Sequence, residues 1–270
     1  MPELPEVEAL RRRVENGALN RTIERVDLGN DTSHIDLPGP KDRTRLGGTQ
    51  FTEARRHGKY LFAGSKSGPW LALHMGMAGS VRVYDAADGN PDYARLIVTF
   101  EGERRMAFRD PRKFGWAKLV ETPEDEIAAH HLGPDALEVS ADAFAERLSG
   151  GRGAVKSALL NQSKVAGIGN LWADETLYQT GIHPDTKTSD LTDEQIHDIY
   201  EASRRILTGV CDVDAHYAKL PDAWLIHRRQ TGRTCSRCDG EIESKKVGGR
   251  TSYFCPKHQY FCSKLQSEDH

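Results

Sequence analysis

Leu4, Val7, Leu10 and Val14 recur every three or four positions, so the chain opens on an amphipathic helix. The period then shortens. Apolar-rich runs over 60–62, 70–74, 81–84, 95–100, 105–108 and 116–120 are separated by turn residues, as in Asp88-Gly89-Asn90-Pro91. Short runs divided in this way predict a β-sandwich or barrel. After Pro123 the helical period returns over 124–130, 141–148, 155–161, 171–179 and 193–207. Thr192 or Ser189 stands where the N-cap of the last helix belongs. The change of period places a domain boundary within 121–140, and the expected class is α+β.

A length of 270 residues suggests about two domains with room for a real core. Hydrophobic residues make up 37% and charged residues 29%, as in soluble globular proteins. No apolar run approaches the roughly 20 residues of a membrane span. The acidic opening lacks the basic and apolar regions of a signal peptide, so the cytoplasm is expected. The net charge of −3 argues against a polyanionic partner only as a sum over the whole chain. Residues 228–257 carry eight Lys and Arg against three Asp and Glu, a strongly basic stretch inside an acidic protein.

The candidate chemistry lies at the two ends. Removal of Met1 would expose Pro2 as a secondary α-amine. Such amines have pKa values of about 7.7–8.0 and are partly unprotonated near neutral pH. An unprotonated amine can form a Schiff base with an aldehyde-level carbon. The alternative is a proline tolerated in a first helical turn, with Glu3 and Glu6 as acids favoured there by the helix dipole. Near the other end, Cys235-Ser-Arg-Cys238 and Cys255-Pro-Lys-His258 are paired-ligand knuckles, with the turn signal Gly248-Gly249 between them. Four such ligands suit one tetrahedral structural zinc. Cys262 competes for the fourth position. Cys211 reads as a small buried hydrophobe, and disulfides do not fit a cytosolic chain.

Taken together, these residues resemble bacterial formamidopyrimidine-DNA glycosylases. The resemblance runs through Pro2-Glu3-Leu4-Pro5-Glu6-Val7-Glu8, Arg56-His57-Gly58-Lys59-Tyr60-Leu61, His74-Met75-Gly76-Met77-Ala78-Gly79 and Asp110-Pro111-Arg112-Lys113-Phe114-Gly115. It continues through Ala166-Gly167-Ile168-Gly169-Asn170-Leu171-Trp172-Ala173-Asp174-Glu175, Gly181-Ile182-His183-Pro184 and Gly249-Arg250-Thr251-Ser252-Tyr253-Phe254-Cys255. It implies an N-terminal β-sandwich with a leading helix, then a helical domain with a helix–two-turn–helix and a zinc-finger β-hairpin. The implied divisions are 1–122, 123–226 and 227–270. The implied activity is excision of oxidised bases from duplex DNA by a monomer, through a proline Schiff base and β,δ-elimination, with no cofactor beyond structural zinc.

The resemblance also implies roles. Pro2 attacks the sugar C1′, Glu3 is the general acid at the ring oxygen, and Glu6 organises the site. Lys59 contacts phosphate and assists elimination. Asn170, in its glycine-rich turn before a helix, and Arg250 clamp the phosphates around the lesion. Arg250 also assists the second elimination, and Lys156 is a further phosphate contact. Met77, Arg112 and Phe114 fill the void left by the flipped base, with Arg112 on the orphaned partner. Read from the sequence alone, Met77 and Phe114 look like core residues.

Three features depart from the family pattern. His258 stands where a fourth cysteine is usual. Pro91 falls where some relatives carry a DNA-contacting histidine, so no role is assigned there. The stretch 209–221 is short for a loop that caps a flipped 8-oxoguanine. Two rivals follow: an endonuclease VIII-like glycosylase preferring oxidised pyrimidines, and a non-catalytic damaged-DNA binder. A Pro-Glu-Leu rather than Pro-Glu-Gly start disfavours the first. The joint presence of Pro2, Glu3, Lys59 and Arg250 disfavours the second.

Overall fold

The computed structural model describes residues 1–37, 45–65 and 67–260. It divides into two compact units, Met1–His131 and Leu132–His270. In the first, helix α1 (Leu4–Ala18) precedes strands β1 (Ile23–Leu28), β2 (Ile35–Asp36), β3 (Glu53–His57), β4 (Tyr60–Gly64), β5 (Trp70–His74), β6 (Ser80–Asp85), β7 (Ala94–Phe100), β8 (Arg104–Arg109) and β9 (Trp116–Val120). Helix α2 (Pro123–Ala129) follows. Every strand expected from the pattern is present. β1, β2 and β3 are additional, and β3 shows why: Glu-Ala-Arg-Arg-His has no apolar alternation and is held as an edge strand by pairing with β4.

The strands form two sheets, ordered β1-β7-β8-β6 and β2-β9-β5-β4-β3. Pairing is antiparallel except between β2 and β9. Leu61, Leu71 and Leu73 of one sheet share a core with Val81, Val98, Phe100, Met106 and Phe108 of the other. Val7, Leu10 and Val14 of α1 join that core, so the opening helical stripe is buried as its spacing predicts. Along β8 the period of two is explicit: Met106 and Phe108 enter this core, while Ala107 packs with Tyr84 and Ile97 in a separate cluster. Thr122 caps α2 by accepting the Asp125 N–H, and Ile127 covers Phe62 and Trp70.

The second unit contains α3 (Ala141–Leu148), α4 (Val155–Leu160), α5 (Asn170–Thr180) and α6 (Asp193–Asp212), then the hairpin β10 (Glu243–Val247) and β11 (Arg250–Phe254). Thr192, not Ser189, caps α6, in a reciprocal box with Gln195. α6 runs on to Asp212 because buried Val210 and Cys211 continue its apolar stripe. The stretch 209–221 is therefore partly helix, followed by a 3-10 turn at Tyr217–Lys219. α5 is buried from Trp172 to Tyr178 and ends at Gly181, whose φ of 71° is the left-handed cap glycine favours. The hairpin turns on Gly248 and Gly249, both at positive φ (56° and 77°). Among the described residues no helix is long and apolar enough to cross a membrane.

Candidate functional site

In the first unit the N-terminal acids are built into the start of α1. Glu3 is the N-cap and is 2% exposed. Its N–H donates to Glu6 Oε2 at 2.8 Å, and its carboxylate accepts the Glu6 N–H in return. The box fixes both acids directly behind half-buried Pro2, which accounts for their helix-capping reading. One turn later Glu8 accepts from Arg11, Arg12 and Arg56. Burial raises the Glu8 pKa, but the Arg11 hydrogen bond and the charges of Arg11, Arg56 and Arg12 outweigh it and hold it below the ordinary value. Arg56 also donates to the Gly58 carbonyl at 3.2 Å. It thereby ties α1 to the β3–β4 turn that carries Lys59, which is 7% exposed.

His74 pairs with Tyr60 across β4 and β5. Burial, with smaller contributions from the charges of Lys59 and His130, pushes its pKa down to about 4. The ring is therefore neutral near pH 7. Its Nδ1 accepts the Gly76 N–H at 3.2 Å, which leaves the proton on Nε2 as a donor. This neutral donor beside Lys59 belongs with the candidate site. It lies inside the His-Met-Gly-Met run, yet nothing in the run reveals that the ring is buried.

Met77 and Phe114 are 42% and 58% exposed, among the few large hydrophobic side chains left in solvent, so neither is core. They stand on two loops in direct backbone contact. A Cβ on Gly76 would lie 2.2 Å from the Phe114 carbonyl carbon, and Gly76 itself has φ of 54°. Asp110, fully buried, shapes the second loop. Its Oδ1 accepts the N–H groups of Arg112 (3.2 Å) and Lys113 (3.0 Å), and its Oδ2 accepts that of Gly115 (2.7 Å). Buried Arg95 braces the loop by donating to the carbonyls of Asp110 (3.0 Å) and Asn30 (2.7 Å). Lys113 pairs with Asp31. The Arg112 guanidinium lies 5.3 Å over the Phe114 ring. The result is a pair of exposed apolar side chains on two loops whose backbones are fixed against each other.

In the second unit Asn170 is the first residue of α5. The turn before it is braced by Gln162, which accepts the Gly167 N–H at 3.0 Å and donates to the Ile168 carbonyl at 2.9 Å. Asn170 Nδ2 donates to the Thr251 carbonyl at 3.1 Å, and Arg250 is exposed at the start of β11. Lys156 is placed otherwise than a phosphate contact requires. It is fully buried, with Nζ 2.7 Å from Asp174 Oδ1 and 3.1 Å from the Thr251 carbonyl.

Cys235, Cys238, Cys255 and His258 bring their donor atoms within 4.8 Å of one another. Cys238 and Cys255 sulfurs are 3.5 Å apart, a contact between ligands rather than a disulfide. His258 Nε2 donates to the Tyr178 carbonyl at 2.9 Å, which turns Nδ1 toward Cys235 as a lone-pair donor. The Arg237 and Gly240 N–H groups point at the sulfurs of Cys235 and Cys238. Gly240 is required there, because a Cβ would sit 2.9 Å from Cys255 Sγ. This donor set fits one metal ion with His258 as fourth ligand. Cys262 lies outside the described residues.

Residues 1–117 match the formamidopyrimidine-DNA glycosylase N-terminal domain, and residues 132–221 match the formamidopyrimidine-DNA glycosylase H2TH domain. The formamidopyrimidine-DNA glycosylase of Synechococcus is 35% identical over 96% of this chain and 99% of its own. The chain belongs to the formamidopyrimidine-DNA glycosylase family. The enzyme of that name from Arabidopsis thaliana is 33% identical over 98% of this chain and 72% of its own. Among solved structures, MutM in complex with carbocyclic 8-oxo-G containing DNA superposes with a TM-score of 0.85 at 28% identity, covering 96% of this chain and 99% of that one. A complex of the Lactococcus lactis protein with abasic-site DNA gives 0.84 at 28% identity, over 96% and 99%.

Of the residues expected from sequence, the structure brings Glu3 and Glu6 together in one capping box and Cys235, Cys238, Cys255 and His258 into one cluster that could hold a metal ion. Sequence reading missed Arg56, Gln162, Asp110 and Arg95, which touch no expected substrate and act by holding those that do.

Proposed function

We propose that this chain excises oxidised bases from damaged duplex DNA and cleaves the strand at the resulting abasic site. The observation that carries the reading is Glu3, a buried carboxylate locked by the capping box immediately behind Pro2. Once Met1 is removed, the Pro2 nitrogen attacks C1′ and the bond from C1′ to the base breaks. Glu3 protonates the ring oxygen, the sugar opens, and an iminium joins C1′ to Pro2. Loss of a C2′ proton then expels the 3′ phosphate, and a second elimination expels the 5′ phosphate. In this reading the neutral His74 ring and Lys59 hold phosphate in the first unit, and Asn170 and Arg250 in the second. Met77, Arg112 and Phe114 occupy the gap in the stack.

Cys235, Cys238, Cys255 and His258 hold a structural zinc, which stabilises the finger without entering the reaction. The protein acts as a monomer in the cytoplasm. Functionally we divide the chain at 1–122, 123–226 and 227–270.

The lesion preference follows from the segment after α6. Between the end of α6 at Asp212 and Pro221 only a short stretch with one 3-10 turn, Tyr217–Lys219, is left to fold over a flipped purine. Ring-opened formamidopyrimidines should be cut at least as fast as 8-oxoguanine, with some activity on oxidised pyrimidines. Single-turnover rates on the three lesions, beside an undamaged duplex, test this. Cleavage of none of them would remove the enzymatic reading, and a clear preference for 8-oxoguanine would remove the loop argument alone.

A further inference from the structure

The Asp174-Glu175 pair closes the longest motif of the chain, and the chemistry above uses neither residue. Both are buried on α5 and reach in different directions. Glu175 accepts the N–H groups of Leu225 (3.2 Å) and Ile226 (3.0 Å), which fastens the segment leading into the metal knuckles. Asp174 faces the hairpin. A buried carboxylate is costly unless donors surround it, and here they do. Oδ1 lies 2.7 Å from Lys156 Nζ and accepts from Ser252 Oγ at 2.8 Å. Oδ2 accepts from Arg229 Nη2 at 2.7 Å, Arg229 Nε at 3.1 Å and the Tyr253 N–H at 3.2 Å. Lys156 donates onward to the Thr251 carbonyl, the same atom that accepts from Asn170.

The geometry of these contacts relates two exposed residues. Asn170 is one helical turn before Asp174, on the same face of α5. Arg250 is two residues before Ser252, on the same face of β11. The carboxylate that grips Ser252 and the Tyr253 amide therefore sets how far Arg250 stands from Asn170. We propose that Asp174 is a positioning residue which, with Lys156 as its bridge to Thr251, holds Asn170 and Arg250 at the spacing of a phosphate clamp. Lys156 serves DNA binding from inside, not by touching phosphate. This rests on the DNA-binding reading given above.

The test uses zinc-loaded full-length protein and a duplex carrying a stable abasic-site analogue, so that binding is read without chemistry. Asp174→Asn keeps the shape and removes the charge. It should weaken binding about ten-fold or more, as expected when a charge-assisted contact is misplaced. The slope of log affinity against log salt should flatten by about one ion, as for Arg250→Ala. A purely structural role would not alter that slope at unchanged zinc content. Combined with Arg250→Ala, the loss should fall well short of the product of the two single losses. Should Asp174→Asn fail to retain zinc, Ser252→Ala supplies the reading, with a smaller loss of the same kind. Wild-type affinity and slope in the zinc-loaded variant, or a fully multiplicative double variant, would overturn the proposal. Failure of the wild-type protein to cleave damaged DNA would instead strike the proposed function.

Discussion

Asp110 offers the sharpest test of the wedge. Its carboxylate is fully buried and accepts three backbone N–H groups at 2.7–3.2 Å. Asp110→Asn preserves volume but exchanges one acceptor oxygen for a donor NH2. If the NH2 replaces Oδ2 it meets the Gly115 N–H; if it replaces Oδ1 it meets those of Arg112 and Lys113. The first orientation strands the buried Gly115 N–H and the second the part-buried N–H groups of Arg112 and Lys113; both remove the charge from the bonds that remain. With a charge-assisted bond at about 1.5–3 kcal/mol, the total cost is about 2–4 kcal/mol. For a unit of this size that is a drop of roughly 6–15 °C in Tm. The functional effect should be selective. Flipping a paired base requires unstacking, which the proposed wedge would offset, whereas a preformed abasic site has no base to unstack. Excision of a damaged base should fall about ten-fold or more below 30 °C, while cleavage of a preformed abasic duplex falls far less. Equal losses in the two assays, or an unchanged melting curve, would refute the role given to Asp110.

Two further outcomes are expected. His74 titrates at about 4 when folded against 6.5 ordinarily, so between these values the unfolded chain binds the proton and the folded one does not. Stability is thus full above 6.5 and falls by up to roughly 3 kcal/mol as pH drops toward 4. Denaturant unfolding of His74→Gln at pH 7 and 4.5 should show a smaller pH dependence than wild type; an equal dependence would contradict the assignment. His258→Ala should lower zinc content and DNA affinity together, whereas Cys262→Ala should leave both unchanged. The reverse pattern in a metal assay would transfer the fourth ligand to Cys262.

The strands 60–64 and 94–100 were legible because each centres on an apolar run, Leu61–Ala63 and Leu96–Val98, and α6 because its stripe and cap agree. β3 was not, because its residues are arginine-rich and its existence depends on pairing with β4. The same division holds at the site. The paired knuckles Cys235/Cys238 and Cys255/His258 are legible by spacing as candidate metal ligands. The competition between His258 and Cys262 for the fourth position was not legible, because only the fold brings His258 beside the three sulfurs. Met77 and Phe114 look like core from sequence, because side-chain type does not reveal that both loops turn outward. The burial of Lys156 was equally hidden: a lysine on a short helix reads as surface until its partner, eighteen positions on at Asp174, is brought beside it.

The central claim is that the Pro2 amine is the nucleophile. It is tested by borohydride reduction during reaction with a damaged duplex, followed by mass mapping of the adduct. The account predicts a covalent DNA–protein species whose modified peptide begins at Pro2, and none from protein that retains Met1. A trapped adduct on Lys59 or another lysine, or full strand cleavage by the Met1-retaining form, would contradict it.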